Sequence, residues 1–371
     1  MPFHLAIDAV GAKHSGAAIV LKAVVDAAIA NSEARRVTVF CSPASQRSFE
    51  LPDERKVKVL DAPLGEHGPA GRIAWQYLRL PDLVHRCGAD VLLCLSGGGS
   101  PPEGTPAVLY VQQSLPFSQE AMATLRLGQR FRARLMGLNT GFAAKRSAAV
   151  AVQTPTMARW VCQRFDLPPE RVRVFEPCPL LENTTDGAHE LNEMRESKAP
   201  ARFLYVGNAS AYKNLGVLAR AMEYLHRKHI NAQLFTTLPP WHPLAGASGV
   251  AALGHLPHPV LSEAYRLATA LVMPSLVETV GLPMLEAFQV GTPVVAADRP
   301  YAHDVCGEAA VYFDPHSPED LSNCLEEIAS DSILRARLSA AGRRVARARS
   351  EARPYDAMVT WLMRLARETQ S

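Results

Sequence analysis

Short apolar segments recur along this chain, and between most of them runs a stretch with helical periodicity. In the first half the apolar segments are FHLAI (3–7), VTVFC (37–41), VKVL (57–60), VLLCL (91–95), AVLYV (107–111) and AVAV (149–152). Helical patterns fall between them at about 17–30, 72–86, 119–146 and 155–165, the last with Thr154 as N-cap and Pro155 at its first position. A strand that is apolar at successive positions must be covered on both faces, so this rhythm requires a parallel sheet with helices on each side. The polar tract ENTTDGAHELNEMRESKAP (182–200) interrupts the rhythm and reads as a linker or loop. FLYVG (203–207) then restarts it, followed by a helix with Leu215, Leu218, Ala219, Met222 and Leu225 on one face, then QLFTTL (233–238), ALVMPS (270–275) and VVAA (294–297). The expected fold is α/β: two Rossmann-like, doubly wound domains facing across a cleft, with ligands at the carboxyl ends of the strands. The expected boundaries are 1–180, a linker at 181–200, 201–350, and a C-terminal helix at 351–371 that packs back toward the first domain.

Composition narrows the class of protein. Apolar residues make up 48% of the 371 and charged residues 20%, the balance of a globular chain. The longest apolar run, at 16–30, is interrupted by Lys22 and Asp26, too early for a membrane span. Asp8 falls where the apolar core of a signal peptide would lie, so a cytoplasmic location is expected. The seven cysteines form no CxxC and read as reduced, buried thiols. A net charge of +3 gives no argument for nucleic acid as a partner. Charge distribution says more: residues 121–165 hold no Asp or Glu but eight Lys or Arg. Either this is a solvated helix face or, over 121–146, a peripheral contact with an anionic membrane, with Leu125, Leu127, Phe131, Leu135 and Met136 set among the arginines.

The segment ETVGLPMLEAFQVGTPVV (278–295) places Glu278 and Glu286 eight residues apart. Spacing alone is weak, since Glu182/Glu190 and Glu319/Glu327 share it. The setting is stronger. An apolar strand runs into a loop, Gly281 and Pro283 open a helix, and Gly291 sits where its C-cap belongs. A strand, a loop and a helix N-terminus make an anion site, and two flanking carboxylates suit a ligand with both phosphate and hydroxyls. A second site of this kind is FLYVGNASAYKN, which leaves a strand at Gly207 and presents Lys213 beside a helix start; a solvated surface lysine is the alternative. A third is Gly16 at the start of helix 17–30, equally readable as a plain helix entry capped by Ser15. The chain contains no GxGxxG, Walker A loop, DxD, HExxH or GxSxG, and Gly97–Gly99 lead into prolines, so neither a nicotinamide cofactor nor a bound metal is expected.

Taken together these pieces resemble the retaining glycosyltransferases of family 4, which have the GT-B fold. YVGNASAYKN, GHLPHPVLSEAYRLATALVMPSLVETVGLPMLEAFQVGTPVVAAD and GEAAVYFDP occur in that family's order within 203–315. RIAWQYLRLP, GADVLLCLS and the LPF of VQQSLPF look like looser counterparts in the first domain. The resemblance implies a sugar moving from a nucleotide-diphosphate donor to a glycan or lipid-linked acceptor, without cofactor or metal, in cell-surface polysaccharide or lipopolysaccharide synthesis at the inner face of the membrane. It implies that Glu286 holds the ribose hydroxyls and that Glu278 contacts the donor sugar near its anomeric centre. Gly207, Asn208, Lys213 and the backbone around Thr279, Gly281 and Leu282 would meet diphosphate or sugar, and Gly16 would complete the phosphate pocket. His255 and Leu256 fall in the base-contacting loop. Two departures matter. Many members carry an arginine shortly before the lysine, where this chain has Asn208 and Ser210, which leaves the diphosphate to Lys213 or to an arginine such as Arg299. The Asp or His often found near the acceptor is replaced by Gln112 and Gln113, so no catalytic base is named. A nucleotide-sugar epimerase on the same fold and an inactive, transferase-like scaffold remain as alternatives.

Overall fold

The computed structural model describes residues 3–12, 16–46, 55–99, 101–181 and 189–370. The chain divides into two compact units. One comprises residues 1–117, 127–177 and 352–371; the other takes 118–126 and 178–351.

The first unit is built on a parallel sheet of β1 (Phe3–Asp8), β2 (Ala34–Cys41), β3 (Val57–Asp61), β4 (Val91–Cys94), β5 (Ala107–Tyr110), β6 (Ala149–Val152) and β7 (Val172–Val174). Its strand order is β3-β2-β1-β4-β5-β6-β7. Leu5 pairs with Val37 of β2 on one side and Val91 of β4 on the other. The second unit holds β8 (Ala201–Tyr205), β9 (Ala232–Thr236), β10 (Val250–Ala252), β11 (Ala270–Met273), β12 (Val294–Ala297) and β13 (Ala310–Phe313), in the order β10-β9-β8-β11-β12-β13. Strands β1, β4, β5, β6, β11 and β12 are buried at every position, as two covered faces demand. In the second unit one face packs around Phe235, Tyr265, Met284 and Phe288, the other around Phe203, Val217, Leu225 and Leu325. Strand order reverses between β1 and β4 and again between β8 and β11. At such a point the loops leaving the two strands run to opposite faces and open a crevice.

Several sequence expectations need correction. Helix 119–146 is two helices, Gln119–Ala123 and Leu127–Arg146, and residues 118–126 belong to the second unit. Ser118 begins the short one, its hydroxyl accepting from the Ala121 amide at 3.2 Å. The pattern at 72–86 contains a π-helical turn at Trp75–Arg79 between helical segments Gly68–Ala74 and Leu80–Cys87. The wider turn lets the adjacent side chains Trp75 and Gln76 both face buried Asp8, at 3.2 and 3.3 Å. The tract expected as a linker is helical at His189–Leu191 and Asn192–Glu196, with Leu191 and Met194 fully buried in the second unit's core; residues 182–188 lie outside the described residues. Strands β7 and β10, three residues each, were too short to carry a pattern. The last helix, Pro354–Gln370, lies in the first unit against helix Gly16–Ala30, with Met358, Val359 and Leu362 fully buried and Trp361 against Phe175.

Candidate functional site

The switch point of the second sheet lies between β8 and β11, and the loops leaving these strands carry the clustered polar groups. After β8 the chain turns at Gly207, whose amide donates to Thr237 Oγ1 at 3.0 Å. A Cβ on Gly207 would sit 2.6 Å from the Tyr205 hydroxyl, which itself donates to the Asn208 carbonyl at 2.8 Å, so the turn has room only for glycine. The Asn208 side chain accepts from the Ser210 amide, and a 3-10 turn at Ala211–Lys213 follows. Asn214 then enters the left-handed region (φ 54°), and its side-chain amide donates to the Pro315 carbonyl at 2.8 Å. The Leu276 amide, in the loop after β11, donates to the Tyr212 carbonyl at 2.9 Å. That bond ties the two loops together and sets Lys213 beside Glu278.

Lys213 Nζ lies 2.5 Å from Glu278 Oε1, with side chains only 11% and 14% exposed. Burial opposes the ammonium charge, but the Glu278 carboxylate and its hydrogen bond outweigh burial and hold the Lys213 pKa above its usual value. Removing either partner would strand a buried charge, at a cost of about 3–5 kcal/mol.

Helix Leu282–Val290 starts where the loop after β11 ends. Gly281 caps it in the left-handed region (φ 79°), and a Cβ there would meet Met284 Cε at 2.8 Å and Met273 Cε at 3.2 Å. Thr279 and Leu282 are half-buried on either side of that glycine. In this first turn Pro283 has no N–H and the Met284 amide donates to the Gly281 carbonyl at 2.9 Å, which leaves the Leu282 amide and the positive end of the helix dipole for an incoming anion. Glu286, within the helix, is 6% exposed. Its Oε2 accepts from the fully buried Tyr265 hydroxyl at 2.7 Å, and its Oε1 lies 3.6 Å from His258 Nε2. Burial and then the neighbouring carboxylate push the Tyr265 phenol well above its usual pKa, so it stays a donor. Tyr265 and His258 sit on helix His258–Leu267, preceded by exposed His255 and buried Leu256 in the loop after β10.

The second unit therefore gathers Gly207, Asn208, Lys213, Glu278, Thr279, Gly281, Leu282 and Glu286 around the carboxyl ends of β8 and β11, with His255 and Leu256 after β10. Gly16 belongs to the first unit, at the start of the helix after β1; Ser15 lies outside the described residues. Arg299, weighed as a substitute phosphate ligand, is paired with Glu120 at 2.7 and 2.9 Å. Sequence reasoning did not single out Tyr265 or Glu120. Tyr265 lies on an apolar helix face where an aromatic reads as core, and Glu120 is 166 positions from Glu286, with no local pattern to connect them. No group of three or more His, Cys, Asp or Glu with metal-site geometry occurs among the described residues. None of their helices is long and apolar enough to cross a membrane. On helix Leu127–Arg146, Leu127, Phe131, Leu135, Leu138 and Phe142 are exposed along one stripe, while Leu125 and Met136 are half-buried.

Residues 200–331, from the start of the second sheet through the helix after β13, match the family described as Glycosyl transferases group 1. Over 217 residues the chain is 31% identical to a D-inositol 3-phosphate glycosyltransferase of Thermobispora bispora, covering 52% of this chain and 50% of that protein. The chain thus spans about half the length of the curated relatives it matches. Among solved structures, sucrose-phosphate synthase from Thermosynechococcus elongatus superposes with a TM-score of 0.76 at 16% identity, over 98% of this chain and 99% of that one. WaaG, a glycosyltransferase involved in lipopolysaccharide biosynthesis, gives 0.67 at 17% identity, over 94% and 98%. The fold is GT-B, two parallel-sheet α/β domains. The matched residues 200–331 all lie in the second unit.

Proposed function

We propose that this chain is a retaining glycosyltransferase that moves a sugar from a nucleotide-diphosphate donor to a glycan or lipid-linked acceptor. The observation that carries the reading is the buried Lys213–Glu278 pair at a switch-point crevice, with Glu286 one helix turn beyond the Gly281 cap. In this reading Glu286 accepts hydrogen bonds from the ribose hydroxyls, and His255 and Leu256 line the base. Gly207, Asn208, Thr279, Gly281 and Leu282 bring backbone close to the diphosphate and sugar. Glu278 faces the sugar near its anomeric carbon.

Breaking the bond between C1 and the diphosphate oxygen leaves negative charge on the departing phosphate. Lys213 and the backbone amides around Gly281 stabilise that charge as it develops, which is where a preorganised site gains most. An acceptor hydroxyl forms the new C1–O bond on the same face, and its proton passes to the leaving phosphate oxygen. This route requires no protein base, no resident cofactor and no metal. The group 1 family match and the likeness to WaaG favour an acceptor in cell-surface polysaccharide or lipopolysaccharide synthesis. The stripe of exposed apolar side chains on helix Leu127–Arg146, set among arginines, suits peripheral contact with an anionic membrane from the cytoplasmic side.

Glu278→Gln keeps a hydrogen-bond acceptor for Lys213 while removing the charge. The expected result is loss of transfer with nucleoside-diphosphate binding retained; unchanged transfer overturns the role given to Glu278. A thermal-shift panel of nucleoside diphosphates identifies the nucleotide, because a ligand at 100 times its Kd stabilises by about 2.7 kcal/mol.

A further inference from the structure

Two cations and two carboxylates meet at the carboxyl edge of the second sheet. Lys213 is held by Glu278, and Arg299 is held by Glu120. Each of these cations is therefore engaged by a carboxylate rather than held open for a nucleoside diphosphate.

Arg299 follows β12 and caps helix Pro300–Cys306. Its Nη2 lies 2.7 and 2.9 Å from the two Glu120 oxygens and 3.2 Å from His316 Nε2, which is itself 2.7 Å from Glu120 Oε1. Both carboxylate oxygens thus share one guanidinium nitrogen. Nη1 donates to the Asp298 carbonyl at 3.2 Å, and Nε is buried with no hydrogen-bond partner. This is not the fork-to-fork geometry in which an arginine binds an oxyanion best, through two parallel bonds. Glu120 is 40% exposed, so its return to water costs little. Helix Gln119–Ala123, which carries it, packs against the turn Ala211–Lys213. Two residues beyond Arg299, the Tyr301 hydroxyl donates to the Ser275 carbonyl at 2.9 Å, in the loop that bears Glu278. Arg299 therefore stands on the same rim as both Lys213 and Glu278.

Building on the donor-site reading above, we infer that Arg299 is a second cation for the donor diphosphate and that Glu120 is its internal competitor. Glu120 neutralises Arg299 while the site is empty and yields it to phosphate oxygens when a nucleoside diphosphate binds. The freed guanidinium then offers Nε and Nη2 together as a fork. This supplies the positive charge that the loop after β8, with Asn208 and Ser210 before its lysine, does not carry. It also couples donor binding to residues 118–126, a segment that lies in the sequence within the first half of the chain yet packs with the second unit.

The test is calorimetric titration of UDP and GDP into the wild type, Glu120→Gln, Arg299→Ala and the double variant, each first checked for an unchanged unfolding temperature. Glu120→Gln is expected to tighten binding of the cognate diphosphate by about fivefold, the size of an exposed ion pair removed from competition. Arg299→Ala is expected to weaken binding by about tenfold, as loss of a charge-assisted bond would. The double variant should match Arg299→Ala. If Glu120→Gln binds no tighter than wild type, or if the double variant keeps the gain, the inference is overturned. Lys213→Met separates the two levels. If it leaves UDP and GDP binding unchanged, the donor-site reading itself fails; if it weakens binding while Glu120→Gln changes nothing, only the competitor role fails.

Discussion

At the scale of single residues, Gly281 is the most constrained position in the site. It needs a left-handed backbone, and the space where a Cβ would go is filled by two methionine ends. Gly254 is a useful contrast, with φ 72° and nothing within 4 Å of the place a Cβ would take. An alanine at Gly254 meets only the backbone penalty, about 1 kcal/mol. Gly281→Ala meets that penalty plus repacking against Met284 and Met273, and is expected to cost about 2–4 kcal/mol. Urea denaturation of both variants checks this, and equal midpoints would show that the methionines give way freely. Glycine at 281 was visible in the sequence as a helix opener. That its Cβ position is occupied by Met273, a β11 residue, was not.

At the scale of elements, helix Leu127–Arg146 is the one whose surface is least explained by folding. Leu127, Phe131, Leu135, Leu138 and Phe142 recur every three or four residues, as a helix stripe does, and all remain exposed, by 46% to 81%. The sequence pointed to Leu125, Leu127, Phe131, Leu135 and Met136. Met136 stands about 100° round the helix from Leu135 and is half-buried, and the break at 124–126 leaves Leu125 outside this helix. Inserting one such side chain into a lipid interface contributes about 1.5–3 kcal/mol, and each nearby arginine about 1 kcal/mol with anionic lipid. Phe131→Glu with Leu138→Glu is expected to reduce sedimentation with phosphatidylserine vesicles by tenfold or more, with the unfolding temperature unchanged because both side chains already face water. Equal sedimentation of wild type and variant would remove the membrane role from this helix.

At the scale of the whole molecule, pH couples parts of the first unit through His4. Its ring joins three segments, contacting Thr38 of β2 at 2.8 Å and the Gly88 carbonyl before β4 at 3.2 Å. Burial, opposed in part by the Gly88 carbonyl, pushes its pKa below the ordinary 6.5. Below pH 6.5 the unfolded chain takes up a proton that the folded ring resists, so this contribution to stability is complete above 6.5 and falls as pH drops through the lowered value. The stability difference between wild type and His4→Gln should therefore shrink between pH 7.5 and 5; a constant difference would exclude His4 as its source. Much of this architecture was legible beforehand. Alternation of apolar runs and helical patterns is a local property, and burial on both faces leaves a parallel, doubly wound sheet as the outcome. The candidate residues Lys213 and Glu278 were legible for a related reason: each stands in the loop that leaves a strand, where turn chemistry marks the chain, whereas Glu286, inside helix Leu282–Val290, was marked by its spacing from Glu278. What the sequence alone determined was this periodicity and its punctuation. Only the tertiary structure decided the pairings, Lys213 with Glu278, Tyr265 with Glu286, and Glu120 with Arg299. Those depend on which strands lie side by side at the switch point and on a nine-residue excursion of the first half into the second unit, and contacts between distant segments leave no periodic trace.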